Sequence, residues 1–225
     1  MEKKNKNKIK KDKEIKSVNP FYTVFIAFGI LIIVFFASYY IFSNFNKFKY
    51  QSLTFTKEKF GEIPVFHYYY YITPEIKYNL YLRNDPRDNL VQFTGRTIEI
   101  FKSDNVYLSV NPKNLTQCEY GRVGIGSLAS FLADNQFKVK GASQNETLAK
   151  EANVEYATCK SKPYEVVIMI QAEDKTEVIH DSLNCYKINI ANCEVLPAIE
   201  KFQVQMILDA RARRQAENKT SQNGE

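Results

Sequence analysis

Apolar and polar positions along the chain fall into three regimes. From Phe21 to Phe42, FYTVFIAFGILIIVFFASYYIF, every position is uncharged, and no charge occurs anywhere from Ser17 to Asn46. As a helix this run would be about 33 Å long, enough to cross the roughly 30 Å hydrocarbon core of a bilayer. Beyond it the pattern becomes short and alternating. Pro64–Ile72 reads as an aromatic strand ending at a Thr73-Pro74 turn, and Lys77–Arg83 as a strand with Tyr78, Leu80 and Leu82 on one face. Thr97–Phe101 and Val106–Val110 read as further short strands, and a β-meander is the simplest arrangement of the set.

The second half mixes periods. Gly126–Ala133 has helical spacing, with Leu128, Phe131 and Leu132 on one side, and Phe137–Lys140 is a short strand. Ser143 and Glu146 fit a capping box before a short helix over 147–153. Glu165–Ile170, EVVIMI, is a continuous apolar run and predicts a central strand. Glu173-Asp174-Lys175 turns the chain, and Thr176–Ile190 returns as one or two strands. Val195–Arg214 predicts a terminal helix with Pro197 in its first turn. Its residues Leu196, Ile199, Phe202, Met206 and Ala210 share a face, and Arg211, Arg213 and Arg214 suit its C-terminal dipole.

The expected fold is α+β. One N-terminal transmembrane helix precedes an extracytoplasmic domain, whose largely antiparallel sheet is packed by a middle helix and a long C-terminal helix. The expected divisions are a basic cytoplasmic tail (1–19), a signal-anchor helix (20–45), a connector (46–62) with room for a short strand at Ser52–Thr56, the α+β domain (63–214) and a disordered polar tail (215–225).

Charge sets the expected orientation. Residues 1–16 carry eight Lys against three acids, so nearly all of the chain's net +6 lies there. Basic residues beside a span are retained in the cytoplasm. This predicts a single-pass protein of the cell membrane, lodged in a lipid bilayer, with residues 47–225 outside. The run is too long for the h-region of a cleaved leader, and Ala37-Ser38-Tyr39 lacks an A-x-A pattern. The same Lys excess reads as an orientation signal, so no nucleic-acid partner is expected.

Candidate chemistry is sparse. The four cysteines, Cys118, Cys159, Cys185 and Cys193, are even in number, form no CxxC and read as two disulfides. A hairpin turning at Asp174 would place Cys185 near Lys162, within reach of Cys159. That leaves Cys118 for Cys193. His67 and His180 each stand alone, so no metal is expected, and no P-loop, HExxH or G-x-S-x-G motif calls for a cofactor or a nucleophile. Gly121-Arg-Val-Gly-Ile-Gly126 lacks dinucleotide spacing, though as a loop before a helix it could offer N–H groups to an anion. The acids Glu62, Asp85, Asp88, Glu165 and Asp181 are scattered, and no catalytic residue is assigned. Asn114, Asn145 and Asn218 begin Asn-x-Ser/Thr triplets, candidate glycosylation acceptors.

The ribbon Phe66-His67-Tyr68-Tyr69-Tyr70-Tyr71 is the exception to this plainness. On a strand it splits into two aromatic faces, Phe66/Tyr68/Tyr70 and His67/Tyr69/Tyr71. Either both are covered by the core, or one packs there and the other faces a partner or a sugar ring. The other, taken as His67, Tyr69 and Tyr71, is a candidate binding surface, because tyrosine combines apolar area with a polar tip.

The segments NPKNLTQCEYGRVGIGSLASFLADN, CKSKPYEVVIMI and NCYKINIANCEVLPAIEKF resemble a family of small single-pass, cysteine-containing surface proteins of small-genome archaea. The resemblance covers about residues 60–210 and implies an extracytoplasmic domain without a known activity. The reading that follows is a membrane-anchored binding or structural module of a cell-envelope assembly, with another envelope protein or a glycan as partner. An envelope enzyme acting on glycan or peptide, or an accessory subunit of a secretion or filament machine, are the alternatives.

Overall fold

The computed structural model describes residues 20–101, 105–112, 115 and 117–222. The chain divides at Phe45 into two units, each taken by itself. The first contains helix α1 (Pro20–Phe45), uncharged along its length. A membrane span was expected here, and the structure corrects that expectation: among the described residues no helix is long and apolar enough to cross a membrane. The single-pass cell-membrane location, the inside–outside orientation and the bilayer as partner lose their basis with it. The basic tail itself lies outside the described residues.

The second unit begins with β1 (Lys47–Tyr50), β2 (Leu53–Phe60), β3 (Ile63–Tyr71) and β4 (Lys77–Leu82), an antiparallel meander in chain order. Residues 46–62, expected as a connector, therefore supply half of a sheet. Alternation gives the sheet one apolar face: Leu53, Phe55, Phe66, Tyr68, Leu80 and Leu82 are all buried.

The remaining strands are β5 (Gln92–Thr94), β6 (Asn105–Val110), β7 (Lys138–Ser143), β8 (Glu155–Tyr156), β9 (Val166–Ala172), β10 (Glu177–Ser182) and β11 (Cys185–Ile190). They form a second sheet in the order β5-β10-β11-β9-β6-β7-β8. Its larger part is parallel: β11, β9, β6, β7 and β8 run one way, and only β10 and β5 oppose them. The expected largely antiparallel sheet is thus corrected to one antiparallel and one mixed sheet. Helix α2 (Gly121–Asp134) links β6 to β7, and α3 (Glu146–Glu151) links β7 to β8, the helical crossovers that parallel neighbours need. The segment 97–101, expected as a strand, is irregular; its Ile98 N–H donates to Asp209 Oδ2 at 2.7 Å.

The turn at Glu173–Lys175 does not close a hairpin. β11 is inserted between β9 and β10, and Glu173 N–H donates to Ile190 O at 2.9 Å. β9 is a central strand, and its two faces are each covered by a separate cluster, which explains its unbroken apolar run. Val166, Ile168 and Ile170 join the main core, while Val167 packs with Tyr107, Ala142 and Ala157 beneath the 157–165 segment. That segment returns along the sheet face to start β9 next to Cys185, which is level with Val167. Cys159 reaches Cys185 by this path, with Cα atoms 5.5 Å apart, and Cys118 pairs with Cys193 at 5.2 Å. The partners are those expected, although the hairpin that suggested them does not exist. On loop-closure entropy, separations of 26 and 75 residues correspond to roughly 3.5 and 4.5 kcal/mol.

Helix α4 (Val195–Gln222) lies between the two sheets and runs beyond its expected end at 214. Tyr186 of β11 meets Phe202 edge-on at 5.8 Å, and Tyr78 of β4 meets Phe131 of α2 at 5.8 Å. The layers are therefore meander, helices, mixed sheet.

The glycines of α2 are spacers within a helix, since GRVGIG forms its first turns. A Cβ on Gly121 would sit 2.6 Å from Leu115 O, and one on Gly124 3.0 Å from Val195 Cγ1 of α4. At Gly126 it would meet nothing within 4 Å. Gly121→Ala is expected to destabilise the domain by about 1–3 kcal/mol through overpacking against backbone. Gly126→Ala is expected to stabilise it by roughly 0.5–1 kcal/mol through helix propensity. Urea unfolding of the two variants checks the pair, and equal effects of one sign would show that the helix contacts are misassigned.

Glu200 of α4 is buried, and burial, opposed by hydrogen bonds from Arg83 and Asn84, pushes its carboxyl up from 4.5 to about 6. A raised carboxyl contributes stability that is complete below its unfolded value of 4.5 and is lost as pH rises through 6. The loss is about 2 kcal/mol at 1.36 kcal/mol per unit. Urea titrations between pH 4 and 7 should show this slope in the wild type minus Glu200→Gln difference. A flat difference would contradict the assignment.

Candidate binding surface

The outward face of the meander is set by strand alternation. With Phe66, Tyr68 and Tyr70 turned inward, His67, Tyr69 and Tyr71 of β3 point out, beside Lys77, Asn79 and Tyr81 of β4 and Glu58 and Phe60 of β2. Tyr69, Tyr71 and Tyr81 are 52%, 53% and 44% exposed, and Phe60 is 57% exposed. Tyr68, one residue from Tyr69, is 9% exposed. The same residue type thus has opposite environments at successive positions.

His67 organises the centre of this face. Its Nδ1–H donates to Glu58 Oε1 at 2.7 Å, and Nε2 lies 3.1 Å from Asn79 Oδ1. The ring, fixed from both sides, stacks on Tyr81 at 4.6 Å with an interplanar angle of 16°. Phe60 meets the far edge of Tyr81 at 5.2 Å, and Tyr69 meets Tyr71 edge-on at 6.5 Å. Lys77 Nζ sits 3.9 Å above Tyr69. The result is a ridge of rings held by cross-strand contacts. Sequence reading found His67, Tyr69 and Tyr71 but missed Phe60 and Tyr81. Tyr81 alternates out of phase with Leu80 and Leu82, which was a readable signal for the outer face.

Two cavities accompany this face. One, about 640 Å³, is lined by Asp85, Asp88, Asp174 and Glu194 together with Arg83 and Lys175. It gathers acids from loops some ninety residues apart, which no local pattern shows. The Arg87 guanidinium holds the Asp85 carboxyl below its usual range. The other, about 760 Å³, lies between the inner face of β3, α2 and the C-terminal part of α4.

The other expected residues are structural or peripheral. His180 stacks on Tyr186 at 4.6 Å, with Nδ1 3.1 Å from Arg96 O. Cys159, Asp181 and Cys185 are close enough together to suggest a metal, but both sulfurs are in a disulfide and offer no thiolate. Asn145 caps α3, its Oδ1 accepting from Leu148 N–H at 3.1 Å, in place of the expected Ser143. Asn218 is exposed on α4 rather than in a tail. Asn114 lies outside the described residues. Glu165 and Glu62 join no cluster of acids among the described residues.

No protein-family model matches this chain, nor does any curated protein or solved structure.

Proposed function

We propose that residues 46–222 are a disulfide-stapled binding module of a larger assembly, and that the Tyr69–Tyr71–Tyr81 face docks another protein. The observation that supports this is the selective exposure of three tyrosines and a phenylalanine on one sheet face, while their neighbours in sequence fill the core. Tyrosine is enriched where protein surfaces meet, because it adds large contact area with little rotamer entropy to lose. The rings stand at steep angles to one another, 86° for Tyr69 and Tyr71 and 73° for Phe60 and Tyr81. Such a ridge fits a grooved protein surface better than the flat face of a sugar. Lys77 and His67 add polar contacts at its centre.

The test separates folding from association. Tyr68→Ala, in the core, is expected to cost about 3–5 kcal/mol. Tyr69→Ala and Tyr81→Ala are expected to cost under about 1 kcal/mol, as exposed substitutions do. The same two variants should recover at least about tenfold less of the wild-type partner in cross-linking and affinity purification, the loss expected when an interface hot spot is truncated. Unchanged recovery would refute the docking face. A stability loss equal to that of Tyr68→Ala would show it to be core. Loss of binding to an oligosaccharide array in place of a protein would reassign the partner to a glycan.

A further inference from the structure

The 760 Å³ cavity lies behind the meander, shares Tyr71 with the outward aromatic face and falls within the size range of small-molecule sites. Its floor is apolar. Phe131 of α2 and Phe137 contribute rings, and Ile100 adds an aliphatic wall. The polar groups near the floor are already paired with each other: Tyr70 Oη–H donates to Asn135 Oδ1 at 2.6 Å, and Asn135 Nδ2 donates to Phe131 O at 2.7 Å. Burial raises the Tyr70 hydroxyl well above the ordinary tyrosine range, so it stays neutral.

The mouth is different in kind. α4 is buried as far as Asp209 and then emerges, and its next turn places Arg211 and Arg214 three residues apart on the cavity side. Arg213 is engaged with the fold, donating from Nη1 to Ile98 O at 2.6 Å. Among the described residues, no ion pair involves Arg211 or Arg214. One carboxylate, Glu217, also lines the opening, against three guanidinium groups. Hydrogen-bonding capacity therefore remains at the mouth and is cationic, while the interior offers only apolar contact.

We infer that this cavity binds a small organic anion. Its aromatic or aliphatic body occupies the floor of Phe131, Phe137 and Ile100, and its acidic group is held at the mouth by Arg211 and Arg214. Guanidinium groups suit carboxylate, sulfonate or phosphate because their N–H donors pair with two oxygens at once. A neutral molecule of the same shape would leave the arginines unanswered, and an inorganic anion would leave the floor empty.

The probe is 8-anilinonaphthalene-1-sulfonate, an aromatic body with one fixed charge, titrated into the folded chain by fluorescence. Saturable enhancement is expected, displaced by decanoate but not by decanol or inorganic phosphate. The variant Arg211→Gln/Arg214→Gln should bind about tenfold or more weakly, the scale of a lost charge-assisted contact, with an unchanged thermal midpoint. The variant Tyr69→Ala/Tyr81→Ala, altered only on the outward face, should bind the probe like wild type. Absence of saturable binding would overturn the inference. So would equal displacement by decanol, indifference to the arginine substitutions, or loss of probe binding in the tyrosine variant.

Discussion

The fold depends on one constraint: α4 lies between two sheets, so from Val195 to Leu208 nearly its whole circumference is enclosed. Val195, Ala198, Ile199, Phe202, Val204 and Ile207 are buried, and so are Glu200, Gln203 and Asp209. An apolar cylinder in an apolar slot has no preferred rotation or height. The three polar side chains supply both. Glu200 accepts from Arg83 N–H at 2.5 Å and from Asn84 Nδ2 at 2.7 Å, tying the helix to the end of β4. Gln203 donates to Ser127 O of α2 at 3.3 Å, and Asp209 accepts from Ile98 N–H at 2.7 Å. The bonds reach the end of β4, α2 and the 97–101 segment, so together they fix the rotation and height of the helix against three separate neighbours. Removing one partner strands a buried polar group, which typically costs about 1–3 kcal/mol.

The two sheets solve the burial problem differently. The meander is half-buried and alternates, which leaves one face free to carry aromatics into solvent. The mixed sheet is covered by helices on one side and, on the other, by the 157–165 segment pinned by Cys159–Cys185. There Ser109 Oγ–H donates to Ala157 O at 2.5 Å, and Tyr107 lies under Lys140 and Lys162, 5.3 and 4.7 Å from its ring. A loop can act as a layer here because the disulfide and these few contacts hold it down. The second bridge, Cys118–Cys193, ties the approach to α2 to the approach to α4, the two helices of the middle layer.

Much of the element inventory was legible from the amino-acid pattern, and the pairing of the strands was not. β3, β4, β6, β9 and the start of α4 fall within a residue or two of where alternation and turn residues place them. Strand order was hidden because β11 slips between β9 and β10, a choice made by tertiary burial and not by the Glu173–Lys175 turn. EVVIMI did carry the relevant hint, since a strand apolar at every position needs cover on both faces. β1 was overlooked and β2 was legible only as a short strand over Ser52–Thr56, because KFKY and LTFTKEKF set their few aromatics among lysines and threonines. The aromatic ribbon was legible as two faces, and only its neighbours decide which face is outward. The arginine-mouthed cavity was legible only as the run Arg211, Arg213 and Arg214, because its floor joins Ile100 to Phe131 and Phe137, some thirty residues further along the chain.

The position of α4 in the chain has a consequence for biosynthesis. Every strand it touches is made before it, and its anchoring bonds span 76 to 117 residues. Contacts this distant are slow to form, because the chain must close large loops first. As the chain is synthesised, the inner faces of both sheets, Phe55 and Leu82 on one and Ile168 and Ile188 on the other, wait without their shared partner. Exposed apolar faces and open strand edges are where nascent chains aggregate. Until α4 arrives, this molecule has two apolar surfaces in need of shelter.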